Sequence, residues 1–81
     1  MTILEQYNEI KSKHQDSIVL LRCGDFYETF SEDAKTVAFA TGITLSKRKD
    51  GTLFAGFPAY CLDEYYPMIV RKGHKIVFSD D

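Results

Sequence analysis

The sequence predicts a single domain over residues 1–81 of the α/β class (more closely α+β), a mixed β-sheet with helices packed on it. Three observations predict it. The 81 residues are 44% hydrophobic and 27% charged, a globular balance with no disordered, collagen-like or coiled-coil bias. Short apolar runs rich in strand formers alternate with longer stretches of helical period. Two turn signals, Gly24-Asp25 and Asp50-Gly51, each join two such runs. A chain of this size buries only about 60% of its unfolded surface, so a net stability of roughly 4–12 kcal/mol is expected.

Thr2 followed by Glu5 is a capping-box pattern. Leu4, Tyr7, Ile10 and His14 then share one face, which predicts a helix over residues 3–14 with His14 at its polar end. The run Ile18-Val19-Leu20-Leu21 is too short for a buried helix and reads as a central strand continuing to Cys23. Gly24-Asp25 turns the chain into a second strand, Phe26 to Phe30. Ser31 is placed to cap a second helix whose first turn carries Glu32 and Asp33, the charge a helix N-terminus favours. Ala34, Val37, Ala38 and Thr41 give it a small apolar face, and Gly42 ends it.

Ile43 to Ser46 alternates as a third strand, and Thr52 to Phe57 returns as a fourth, stopped by Pro58. Residues 60–72 carry Leu62, Tyr65, Tyr66, Ile69 and Val70 at helical spacing, with Gly73 as the stop. Pro67 lies inside that helix and is expected to kink it or shorten its first turn. Lys75 to Phe78 is a last strand. The element order is therefore αββαββαβ.

Charge and cysteine content narrow the function. Ten basic and twelve acidic residues leave a net charge of −2, which argues against a free-standing nonspecific nucleic-acid binder. Cys23 and Cys61 lack CxxC spacing and sit among apolar neighbours, so both read as reduced core residues. No stretch approaches the ~20 apolar residues of a membrane helix, and the N-terminus lacks the pattern of a signal peptide. A cytoplasmic location is expected, and no membrane partner. Met1 and the acidic terminus favour a complete small gene product.

The residues that can carry chemistry gather on the second strand. Side chains alternate along a strand, so Phe26, Glu28 and Phe30 share one face and Tyr27 and Thr29 the other. If the phenylalanine face is core, Glu28 is a carboxylate buried between two rings, which is costly unless paired. If that face is open, two rings are exposed. A third arrangement is a twisted edge strand that sinks Phe30 while Glu28 reaches Arg22 across the hairpin. In the open case Phe26 and Glu28 lie about 7 Å apart and can stack on a nucleobase and hydrogen-bond its edge. Two basic clusters, Lys47-Arg48-Lys49 and Arg71-Lys72 with Lys75, can contact a phosphate backbone, although charged turns and helix ends are commonly just solvated. Asp25 and Glu28 are too few carboxylates for a metal site, and no phosphate loop, zinc spacing or hydrolase motif is present. No cofactor, metal or catalytic residue is expected.

Several ordered motifs resemble the mismatch-recognition domain at the N-terminus of the MutS family. Gly24-Asp25-Phe26-Tyr27-Glu28-Thr29-Phe30 with Asp33-Ala34 is similar to that family's GDFYELF…DDA segment. Ile43-Thr44-Leu45-Ser46-Lys47-Arg48 is similar to I-x-L-T-x-R, and Ala55-Gly56-Phe57-Pro58 to AGxP. The opening Leu4 to Lys13 and the strand from Gly73 to Val77 extend the likeness over nearly the whole chain. Ala59-Tyr60-Cys61 departs from the tyrosine and histidine that follow in the family, and Pro67 interrupts a helix that the family keeps continuous. The resemblance implies that Phe26 inserts from the minor groove and stacks on a mispaired base while Glu28 hydrogen-bonds it. It implies weak binding of mismatched or distorted duplex DNA in mismatch repair, without enzymatic activity. An alternative is an interaction module that keeps the fold and binds a protein through Tyr60, Tyr65 and Tyr66, a residue type enriched at interfaces. A nuclease built on Asp25 and Glu28 stands far behind both.

Overall fold

The computed structural model describes residues 1–79. The elements are α1 (Ile3–Lys13), β1 (Ser17–Cys23), β2 (Phe26–Phe30), α2 (Ser31–Thr41), β3 (Ser46–Lys47), β4 (Leu53–Pro58), a 3-10 turn (Ala59–Cys61), α3 (Leu62–Arg71) and β5 (Lys75–Ser79). The sheet order is β3-β4-β2-β1-β5. β5 runs parallel to β1 and the other pairs are antiparallel, so the sheet is mixed, as the sequence predicts.

Helices cover both faces. On one, Ile18 and Leu20 of β1 and Phe57 of β4 pack against Val37 of α2 and Ile69 of α3. On the other, Val19, Leu21 and Phe30 pack against Tyr7 of α1. Because both faces are covered there, residues 17 to 21 of β1 are all buried, and residues 18 to 21 read as a continuous apolar run rather than an alternation.

The helix ends follow local rules in part. Thr2 accepts from the Glu5 amide and the Glu5 carboxylate accepts from the Thr2 amide, completing the capping box. Those bonds hold the Glu5 carboxyl below its usual range. Gly42 ends α2 in the left-handed region at φ 83°, its amide bonded to the Ala38 carbonyl. Ser31 does not cap α2. It is the first helical residue, at φ 56°, and the capping position falls to Phe30, whose side chain has nothing to donate or accept. α3 runs through Pro67, with the 3-10 turn preceding it.

The predicted third strand is shorter than its alternation suggests, since only Ser46 and Lys47 pair with β4. Ile43 instead packs against the core, and its amide bonds to Thr41 Oγ1. Cys23 and Cys61 are half-buried rather than full core residues.

Asp33 ties three elements together. Its Oδ2 accepts from the Tyr7 hydroxyl at 2.6 Å and the Val19 amide at 3.2 Å, and its Oδ1 pairs with Lys11 Nζ at 2.9 Å. Lys11 also donates to the Ser17 carbonyl. Burial, and then the Asp33 carboxylate beside it, push the Tyr7 hydroxyl well above the usual tyrosine range. Tyr7→Phe removes one donor from a buried carboxylate and is expected to destabilise the chain by about 1–3 kcal/mol in urea denaturation. The sign of the pH effect follows from the upward shift. The stabilisation is fully present below the unfolded tyrosine's pKa of about 10 and is lost as pH rises beyond it, so the parent should lose stability more steeply than Tyr7→Phe above that pH.

Candidate functional site

β2 is the middle strand of the sheet, not an edge strand, and it changes character along its length. The register puts Phe26 opposite Cys23 and Pro58, Glu28 opposite Leu21 and Gly56, and Phe30 opposite Phe54. Phe30 is 1% exposed and meets the Tyr7 ring edge-on at 5.4 Å between centroids. Phe26, four residues earlier on the same face, is 48% exposed. The phenylalanine face is thus core at one end and open at the other, and neither uniform alternative applies.

Glu28 sits at the transition, half-buried. Its side chain makes no hydrogen bond or ion pair with another described residue. Arg22 does not reach it. Its Nε donates to the Gly24 carbonyl at 2.6 Å, and its guanidinium lies 5.5 Å from the centroid of the Tyr27 ring on the opposite face. Glu28 therefore keeps its acceptor capacity open.

Phe26 and Glu28 line a groove of about 400 Å³ with Thr44, Ser46, Phe54 and Gly56. An aromatic wall, a carboxylate and two hydroxyls suit a planar heterocycle with polar edges. Gly56 makes the floor possible. A Cβ there would stand 2.9 Å from the Tyr27 carbonyl oxygen and 3.3 Å from Glu28 Cγ. The sequence reading missed Thr44, Ser46 and Phe54 as part of this site. A glycine inside strand β4 was the available signal for Gly56, since such glycines mark close backbone approach.

The basic residues are not brought together. Lys47 and Lys49 are exposed on the β3–β4 hairpin beside the groove. Arg48 is half-buried, its guanidinium 5.7 Å from the centroid of the Phe30 ring. Arg71 and Lys72 are exposed at the end of α3, in the layer on the other face of the sheet, where Lys72 Nζ lies 5.5 Å from the centroid of the exposed Phe39 ring. Lys75 pairs with Asp16 at 3.3 Å, which lowers the Asp16 pKa. The hairpin turn is set by Asp50, whose Oδ1 accepts from the Thr52 amide at 2.9 Å and whose pKa that bond lowers. Among the described residues no group of three or more His, Cys, Asp or Glu can hold a metal ion, and no helix is long and apolar enough to cross a membrane.

A family model described as MutS domain I matches residues 1–81. The chain belongs to the MutS domain I family. The DNA mismatch repair proteins MutS of Phocaeicola vulgatus and Porphyromonas gingivalis are each 48% identical to it over 82 residues, or 96% of this chain. That of Thermotoga neapolitana is 46% identical over 78 residues, also 96% of this chain. The chain spans 9%, 9% and 10% of those three relatives.

In this MutS domain I chain the groove floor gives a direct test. Gly56→Ala forces β4 away from β2 beneath Glu28 and is expected to cost about 1–3 kcal/mol. Thermal unfolding should show a drop of about 4–8 °C for each kcal/mol.

Proposed function

We propose that this chain is a mismatch-reading module of DNA mismatch repair, with Phe26 as the wedge and Glu28 as the acceptor for the base it stacks on. The observation that carries this reading is the exposed Phe26 ring beside an unpartnered carboxylate on a central strand. A ring stacks on any base, because every base has a π-face, so it supplies affinity without reading sequence. A carboxylate beside it accepts a hydrogen bond from the edge of the stacked base. A mispaired step costs less to unstack and kink than a paired one, so the same wedge favours mismatched or distorted duplex. The name that the relatives carry, DNA mismatch repair protein, supports the same assignment.

The net charge of −2 fits weak DNA binding at physiological salt. Lys49, in the turn of the hairpin next to the groove, is the phosphate contact that this reading favours, since Lys47 alternates with Ser46 onto the other face of the sheet. The same reading leaves Arg71 and Lys72, in the opposite layer, without a contact to the same stretch of DNA. The reading involves no catalytic residue and no cofactor, and the compartment is the cytoplasm.

A second reading, a protein-binding module, is favoured by a different surface. Tyr60 is 86% exposed, and Tyr66 stacks on Phe78 with 6.2 Å between centroids while both stay about two-fifths exposed. Tyr65 does not join that surface, since its ring packs against Phe57 at 5.1 Å.

Binding of homoduplex and single-mismatch DNA, titrated from low salt, separates the two. Base–aromatic stacking contributes about 1–3 kcal/mol. Phe26→Ala should therefore weaken mismatch binding by roughly 5–150-fold and leave homoduplex binding nearly unchanged. Equal binding of mismatched DNA by parent and Phe26→Ala sinks the wedge. No DNA binding by the parent, with partners recovered on the tyrosine surface, favours the second reading.

A further inference from the structure

We infer that Arg48 is a positioning residue, which holds the Thr44–Ser46 wall of the groove in place by seating its guanidinium on Phe30, and is not a phosphate contact. This rests on the mismatch-reading role of the same groove. β3 is an edge strand of two residues, paired only through Ser46–Phe54 and Lys47–Leu53. So short a ladder is a weak hold on a strand whose outer edge is free. Beyond it the hairpin is closed by the Arg48 amide on the Thr52 carbonyl at 2.8 Å and the Gly51 amide on the Arg48 carbonyl at 2.9 Å.

The Arg48 side chain adds the tie to the core. Its guanidinium lies 5.7 Å from the centroid of the Phe30 ring, the most buried residue of β2's groove face. Guanidinium planes stack on aromatic rings in a way that a lysine ammonium does not reproduce. Ser46 lies two residues before Arg48 and lines the same groove as Glu28, as does Thr44. Releasing Arg48 from Phe30 frees the arm that carries both hydroxyls. Phe30 in turn lies on the same strand and face as Phe26 and Glu28, so one strand carries the reading pair and the seat of the Thr44–Ser46 wall.

The test compares Arg48→Lys, which keeps the charge, with Arg48→Gln, which does not, by amide hydrogen exchange in the free chain and by salt-titrated binding of mismatched and paired duplex. Both variants should speed exchange at the amides of residues 48 and 51. Both should lower the preference for mismatched over paired DNA by about threefold, with the salt slope of the parent retained. Two results overturn the inference: binding restored by Arg48→Lys with the slope reduced by about one in Arg48→Gln, the signature of a phosphate contact, or unchanged exchange in both variants. If the parent shows no mismatch preference but exchange speeds up in both variants, the hairpin seat stands and the mismatch reading of the groove fails.

Discussion

Three elements of the fold, α1, β1 and α2, meet on one carboxylate. Asp33, buried at the start of α2, accepts from Tyr7 of α1 and the Val19 amide of β1, while Lys11 of α1 neutralises its other oxygen. A buried carboxylate without partners is strongly unfavourable, so the fold loses stability with each of the three donors that is removed. That dependence fixes where α1 lies. With Tyr7 committed to Asp33, its ring edge meets Phe30 and the helix covers that end of β2.

The groove is what α1 leaves uncovered. Five strands need helices on both faces to bury their apolar residues, and α2 and α3 supply one side. The other side has a single helix of 11 residues, about 16 Å long. It packs over Phe30, Val19 and Leu21 and leaves the Phe26 end of β2 open. The site therefore rests mainly on the sheet itself, with Thr44 of the α2–β3 connection among its lining. It is a bare part of the sheet, deepened by a glycine opposite Glu28 and walled by a short hairpin arm.

Local features were legible in the sequence where a local rule governs them. The capping box at Thr2, the glycine stop at Gly42, the hairpin at Gly24-Asp25 and the bounds of β2 each depend on residues within a few positions of one another. The motif from Gly24 to Phe30 also carried enough pattern to indicate the family. Features decided by distant partners were not legible. Ile43 to Ser46 alternates like a strand, but only Ser46 and Lys47 find a partner, because Ile43 is drawn into the core and β4 begins at Leu53. Two basic clusters looked equivalent until the sheet separated them. Ser31 resembled a cap, but the left-handed turn made it the first residue of the helix itself. Phe26 and Phe30 looked alike because nothing in the strand records where α1, an earlier element, stops covering it.

The central placement of β2 has a mechanical consequence. The strand is bonded to a neighbour on each side, and its tip is tied again where the Ala59 amide donates to the Asp25 carbonyl at 2.7 Å. A ring carried there has little compliance. When it meets another body, the deformation falls on whichever is softer. Against DNA that is the nucleic acid, whose steps differ in stiffness according to whether their bases are paired. On the proposed reading, selection is then a comparison of elastic costs, made by a probe that stays fixed while the duplex yields.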